Sequence, residues 1–99
     1  MPVYALVELT VTDASWIEEY SKNVSPLLLS YGGKYLTSSD NIDMLEGEGK
    51  PQYAGVVEFP SRELAMQFYN SKEYKPYRDA RLAGSKSRYL VIDVENGES

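Results

Sequence analysis

Three charged side chains stand in apolar or structured surroundings, where charge held away from water becomes chemically useful. Glu58 interrupts the run Val56-Val57-Glu58-Phe59, and Glu8 interrupts the alternating stretch from Val3 to Val11. Arg81 sits in a helix-forming segment, Arg78 to Ala83. A carboxyl group buried without a partner must find a counter-charge, reach water or keep its proton. With a raised pKa, Glu58 becomes a candidate catalytic acid or base. The plainer alternative is a structural ion pair or hydrogen bond, to Arg81, to a tyrosine hydroxyl or to the backbone. Glu8 is the sister case: if the two strands are neighbours, both carboxylates can share a sheet face, and a close pair would raise one pKa. A solvated glutamate on the sheet rim is the alternative for Glu8. Arg81 is the candidate anion anchor, because a guanidinium grips a carboxylate through two parallel hydrogen bonds. An exposed arginine pairing with Asp79 or Glu73 would contribute little.

Tyrosine is the second chemical signal. Nine tyrosines accompany two phenylalanines and one tryptophan. Each offers an apolar ring with one polar end, suited to a pocket wall, a core edge or a subunit seam. Tyr20, Tyr69 and Tyr74 are the candidate ligand-contacting tyrosines, with Trp16 and Tyr77 nearby in the pattern. Other chemistries are removed by composition. The chain has no cysteine and no histidine, so disulfides, thiolate nucleophiles and the commonest general base are excluded, and most zinc sites with them. A nucleophilic serine would lack its usual activating base. Gly32-Gly33 and Glu46-Gly47-Glu48-Gly49 have no phosphate-loop spacing, and Asp40, Asp43, Glu46 and Glu48 do not follow a calcium-loop pattern. Neither a metal nor an organic cofactor is implied. Ten basic against fifteen acidic residues give a net charge of −5, which argues against nucleic acid as a partner. No apolar stretch approaches the roughly 20 residues of a membrane helix, and Met1-Pro2-Val3 lacks the basic start of a signal peptide. A cytoplasmic protein is the expectation.

The elements that must position these residues can be read from periodicity. Val3 to Val11 alternates: Val3, Ala5, Val7, Leu9 and Val11 point one way, Tyr4, Leu6, Glu8 and Thr10 the other, which predicts a strand. Asp13 predicts an N-cap, and Trp16, Tyr20, Val24, Leu27, Leu28 and Tyr31 form a helical stripe. Pro26 predicts a kink or restart, and Gly32-Gly33 a helix end. Lys34 to Ser38 reads as a short edge strand. Residues 39–51 read as a connection with an extended piece at Ile42 to Leu45. Gln52 to Phe59 is a second clear strand, with Tyr53, Gly55, Val57 and Phe59 on one face and Ala54, Val56 and Glu58 on the other. Ser61 predicts a cap for a helix whose buried stripe is Leu64, Ala65, Phe68 and Tyr69. That helix should break at Pro76 and resume over Arg78 to Ala83, before a last strand from Ser87 to Val94. Strand, helix, strand, strand, helix, strand is the α+β, ferredoxin-like βαββαβ sandwich, with both helices on one face of an antiparallel sheet. The bare second face, carrying Tyr4, Leu6, Ala54 and Val56, would expose a large apolar patch unless a second copy covered it. A homodimer through the sheet face is therefore expected. One domain spans residues 1–95, and residues 96–99 are expected to be a frayed tail.

The ordered set of local patterns also resembles a known family. Thr12-Asp13, Tyr31-Gly32-Gly33-Lys34-Tyr35, Leu45-Glu46-Gly47 and Val57-Glu58-Phe59-Pro60-Ser61 carry the resemblance. Ala65, Phe68-Tyr69-Asn70-Ser71, Glu73-Tyr74-Lys75-Pro76 and Arg81 continue it. Together they are similar to the 1330 family of domains of unknown function, in the dimeric α/β-barrel superfamily. The resemblance implies a ferredoxin-like fold and a dimer, and no activity. The wider superfamily includes cofactor-free monooxygenases, muconolactone isomerase-like enzymes, haem-handling proteins and ligand domains of transcription regulators, so fold alone does not assign function. The haem branch generally uses a histidine that this chain lacks. The reading is a protein that binds, or transforms without a cofactor, a small apolar or carboxylate-bearing metabolite between helices and sheet. The alternative is a non-catalytic dimerisation or ligand-sensing module.

Overall fold

The computed structural model describes residues 1–95; the expected tail, 96–99, lies outside the described residues. Four strands form one antiparallel sheet: β1 (Val3–Val11), β2 (Lys34–Ser39), β3 (Tyr53–Phe59) and β4 (Ser85–Asp93). Their order across the sheet is β2-β3-β1-β4, so the two most regular strands of the sequence occupy the centre. β1 pairs along both edges, Val7 lying opposite Gly55 on β3 and opposite Tyr89 on β4. A bulge in β2 between Tyr35 and Thr37 shifts the outer register, which re-aims side chains on that edge.

One face of the sheet carries the helices. A 3₁₀ turn (Ala14–Trp16) leads into α1 (Ile17–Ser30), and α2 (Arg62–Tyr69) and α3 (Lys75–Ala83) follow β3. Asp13 caps the 3₁₀ turn, its carboxylate accepting from the Ser15 amide at 2.9 Å. Ser61 caps α2, its hydroxyl accepting from the Leu64 amide at 3.2 Å. α1 ends in paired bonds from the Gly32 amide to the Leu29 carbonyl and from the Gly33 amide to the Leu28 carbonyl. That ending needs a left-handed residue, and Gly32 supplies it with φ +82°.

Three local expectations differ from the structure. α1 runs unbroken through Pro26, because the ring removes one donor while the Val24 and Leu28 stripe still holds the helix on the core. The second helix breaks over residues 70–74, before Pro76 and not at it. Pro76 lies in the first turn of α3, where its missing N–H would be unpaired in any case. Residues 40–52 hold no strand, so Ile42 to Leu45 is irregular.

Between the layers lies a core of Val3, Ala5, Val24, Leu28, Val57, Phe59, Ala65, Phe68 and Tyr74. Tyr74 is stacked on Phe68 at 4.4 Å between ring centroids. The opposite face holds Leu6 between Val56 and Leu90, with Tyr4 beside Ile92; Leu90 is 40% and Ile92 52% exposed. Gly84 locks the end of α3 to the start of the helical layer. Its carbonyl accepts from the Thr12 and Asp13 amides and from the Trp16 indole. A Cβ there would lie 2.9 Å from the Asp13 carbonyl oxygen and inside the contact radius of the Trp16 ring. Gly84→Ala should therefore lower stability by about 1–3 kcal/mol, read as a lower urea midpoint with an unchanged slope. An unchanged midpoint would show that this junction yields freely.

Candidate functional site

The two layers do not fill the space between them. A cavity of about 150 Å³ remains between α1, α3 and the helix-side face of the sheet. The register explains its floor. Tyr89, Val7, Gly55 and Ser38 lie side by side across β4, β1, β3 and β2, and all four line it. Side chains alternate along strands, so this row points to the helices as Val3 and Ala5 do. Val24 and Leu28 of α1 form the apolar roof, and Tyr35 and Tyr53, both exposed, stand at the rim.

Arg81 closes the far side. It lies on α3 and is only 1% exposed, the one buried charged residue among the described ones. Its Nη1 donates to the Ser87 hydroxyl at 2.7 Å, and its backbone carbonyl accepts from the Ser85 hydroxyl at 2.6 Å. Both bonds tie α3 to β4 and fix the guanidinium. Its centre lies 5.7 Å from the centroid of the Tyr89 ring, within range of a cation–π contact. Nε and Nη2 have no hydrogen-bond partner. The ion pairs of the described residues are Arg62–Asp93, Lys75–Asp79 and Arg78–Asp79, and none involves Arg81. Burial works against its charge; the neighbouring Tyr74 and Tyr20, with a side-chain hydrogen bond to Tyr74, favour the charged form, and the net shift of its pKa is upward. The group is a fixed, buried cation with no carboxylate partner; its Nε and Nη2 are themselves closed to solvent, and Tyr74 lies close enough to interact with it. Those donors, Nε–H and Nη2–H, point from the same edge of the guanidinium plane, the edge that meets a carboxylate side-on.

Tyrosines surround this cation. The Tyr20 and Tyr74 hydroxyls share a hydrogen bond of 2.6 Å, and both residues line the cavity with Tyr89. Burial, then the neighbouring Tyr74, pushes the Tyr20 pKa far above its ordinary value. Tyr89 is raised for the same two reasons, with Arg81 partly opposing. Both therefore remain protonated at neutral pH and offer hydrogen bonds in place of charge.

Of the residues singled out in the sequence, Arg81, Tyr20 and Tyr74 come together here. Glu58 and Glu8 do not. Glu58 pairs across the ladder with Tyr4 and Lys34, and Glu8 with Ala54 and Arg88. Both project from the open face, with the sheet between them and Arg81, so the expected Glu58–Arg81 partnership is absent. Glu8 and Glu58 share a face, yet Glu8 stands opposite Ala54, four residues along β3 from Glu58. At about 3.3 Å per residue this separation prevents a carboxylate pair. Tyr69 lies behind the wall, its ring edge against Tyr89 at 4.9 Å and its carbonyl accepting from Arg78 at 2.6 Å. Trp16 packs edge-on against Tyr20 at 5.2 Å and supports the wall without lining the cavity. Sequence reasoning did not single out Gly55, Ser38, Tyr35, Tyr53 or Tyr89 as site residues. A glycine inside an apolar strand was the available signal, since such a glycine marks close backbone approach or missing volume. Among the described residues no three acidic side chains converge as metal ligands, and no helix is long and apolar enough to cross a membrane.

A helix-covered antiparallel sheet with this strand order defines a ferredoxin-like α+β protein with one apolar, arginine-ended cavity. The chain belongs to the DUF1330 family, a domain of unknown function, whose model matches residues 2–94. Solved structures agree on the fold. RPA0582, a protein of unknown function from Rhodopseudomonas palustris, is 18% identical with a TM-score of 0.81, over 96% of this chain and 83% of that one. A dimeric ferredoxin-like protein of unknown function from Jannaschia sp. CCS1 is 10% identical with a TM-score of 0.66, over 95% of this chain and 100% of that one. SnoaB, a cofactor-independent oxygenase from Streptomyces nogalater, is 12% identical with a TM-score of 0.66, over 96% of this chain and 94% of that one. No curated protein matches the sequence.

The tyrosine environment has a consequence for alkaline stability. The folded-state pKa values of Tyr20 and Tyr89 are raised above the ordinary value of 10.0. Their contribution is fully present below that value. Above it the unfolded chain releases protons that the folded chain holds, so stability falls as pH rises. Urea midpoints should decline from about pH 10 upward, and tyrosinate absorbance should show Tyr20 and Tyr89 ionising only as the chain unfolds. Free titration of every tyrosine in the folded protein would contradict this burial.

Proposed function

We propose that this protein binds a small carboxylate-bearing, otherwise apolar metabolite in the cavity ended by Arg81, and that it does so as a homodimer. The observation that carries the reading is the free Nε–Nη2 edge of Arg81. Burying a cation costs several kcal/mol even after relaxation. Chains usually offset that cost with an internal carboxylate, and here none pairs with Arg81. A ligand carboxylate would supply the missing charge and acceptors once the side chains that close Nε and Nη2 off from the cavity move aside. Tyr20 and Tyr74, their hydroxyls sharing a hydrogen bond, line the same cavity, and Val24, Leu28 and Val57 provide the apolar wall. No carboxylate lines the cavity among the described residues, which favours binding over proton-transfer catalysis. SnoaB is described as a cofactor-independent oxygenase; at this identity the likeness extends to the fold and supplies no residue role.

The dimer reading rests on the open face. Leu6, Val56 and Leu90 form one row and Tyr4 and Ile92 the next, an apolar strip that a second copy would shield by two-fold pairing. Leu6→Lys should shift the protein to monomer in sedimentation velocity, and a wild-type monomer at micromolar concentration would refute the assembly.

Arg81→Met separates a functional arginine from a structural one. Removing one partner of a satisfied buried ion pair costs about 3–5 kcal/mol. Arg81 has no such partner, so Arg81→Met should leave the urea midpoint unchanged or raised. In the wild type, benzoate at a hundredfold excess over its Kd should add about 2.7 kcal/mol, a Tm rise on the order of 10 °C for a domain of this size. Benzamide, which lacks the charge, should give no rise, and Arg81→Met should abolish the benzoate response. A large loss of stability in Arg81→Met, or equal responses to acid and amide, would sink the carboxylate reading.

A further inference from the structure

We infer that the acid taken by this cavity carries one flat six-membered ring, seated over Gly55 with its carboxylate on Arg81. The inference rests on the carboxylate reading above and deepens it. The space is the first constraint. An apolar cavity of about 150 Å³ holds one benzene molecule, and this cavity has about that volume. A two-carbon acid would leave most of its apolar wall uncovered. A fused pair of rings would exceed it and carry its second ring out past the rim at Tyr35 and Tyr53.

Gly55 is the second constraint. It lies in the middle of β3, an inner strand, flanked across the ladder by Val7 and Ser38. Its backbone does not require glycine, since the positive φ values belong to Gly32, Gly47 and Gly49. Nor does crowding require it. A Cβ there would meet the Thr37 carbonyl oxygen at 3.5 Å and the Ser38 side chain at 3.7 Å, both ordinary contacts. Glycine in a strand interior weakens the strand and leaves nothing to pack. What its absent side chain provides is a flat patch of floor beneath Val24 and Leu28, where every neighbouring helix-facing position carries a side chain. A ring fits a flat floor and a two-residue aliphatic roof; a branched or globular body does not.

Spacing is the third. Arg81 is held over β4 by Ser87, and Gly55 lies two strands away across β1. Ser87 stands in the row of Leu9 and Tyr53, the helix-facing row next to that of Tyr89, Val7 and Gly55; two strand spacings across and two residues along make on the order of 12 Å, enough for a carboxylate in contact with the guanidinium followed by one ring. The exposed Tyr35 and Tyr53 at the rim mark the open end, beyond the ring.

The test is isothermal titration of wild type, Gly55→Val and Gly55→Ala with acetate, benzoate and 2-naphthoate, with circular dichroism confirming the fold of each variant. Benzoate should bind wild type at least about tenfold more tightly than acetate, from the added apolar burial. 2-Naphthoate should gain less than about tenfold over benzoate, because its second ring passes the open end at Tyr35 and Tyr53 and stays largely in water. Gly55→Val should lose benzoate by about tenfold or more while acetate changes by less than about twofold, since the added volume occupies the ring position and leaves Arg81 free. If Gly55→Val does not fold, Gly55→Ala carries the test, with a loss of about threefold or more for benzoate alone. Acetate and benzoate binding alike, 2-naphthoate binding about tenfold or more tightly than benzoate, or a folded Gly55→Val that keeps its benzoate affinity would each overturn the ring inference while leaving the carboxylate reading in place. A wild type that binds none of the three acids would overturn both.

Discussion

The strict alternation of side chains along β1 governs everything else in this molecule. β1 is paired on both edges, to β3 and to β4, so its phase dictates the phase of two other strands. Shifting it by one residue would send Val3, Ala5 and Val7 outward and bring Tyr4, Leu6 and Glu8 beneath the helices. The buried side would then hold a carboxylate, and the apolar set would face out. No such slip is tolerable with Phe59 and Val57 already committed to the core. The same phase separates the two kinds of charge. Glu8 and Glu58 fall on the open side, and Arg81 reaches down from α3 on the helical side. The sheet is the partition that leaves the arginine without a carboxylate.

That separation is costly, and the surroundings show how the cost is moderated. Arg81 keeps one bond to Ser87 and lies against the Tyr89 ring. Tyr74 and Tyr20 place polar hydroxyls nearby without adding a negative charge. A glutamate at any of these positions would satisfy the guanidinium fully and close the site to an incoming anion. Tyrosine gives partial compensation, enough to hold the cation in the fold and too little to neutralise it. The tyrosine richness of the sequence follows from this. Much of it surrounds one cation; Phe68 stacks on Tyr74 within the cavity wall, and Trp16 supports Tyr20 from behind it.

The architecture was legible in the sequence because its signals are local and repeat. Alternation from Val3 to Val11, the caps at Asp13 and Ser61, and the Gly32-Gly33 stop each report a backbone state through neighbouring residues. Errors arose where tertiary packing overrides a local rule. Pro26 stays within α1 because the Val24 and Leu28 face is anchored, and Pro76 starts a helix in place of ending one. The candidate site was legible only in part. Arg81, Tyr20 and Tyr74 stand out by type and converge. Glu58 also stood out by type, but an acidic residue in an apolar strand looks the same from either side of the sheet. Its face had been read correctly; what could not be read was that Arg81 approaches from the other one, since that depends on how α3 lies against the sheet.

The cavity itself is made of absences, and absences leave weak traces in a sequence. Gly55 lacks a side chain on its floor, and no acidic residue of its lining reaches Arg81. Neither fact is a motif. Chains with 10–18% identity to this one share its sheet and helices, because many residue sets satisfy an alternating strand and an amphipathic helix. One added side chain at the floor or one acidic residue near the cation would preserve that frame and change what the cavity can hold. Fold and binding therefore depend on different residues in this molecule. The frame rests on patterns that tolerate substitution, whereas the proposed recognition of an anion rests on a single guanidinium and on the space kept open beside it.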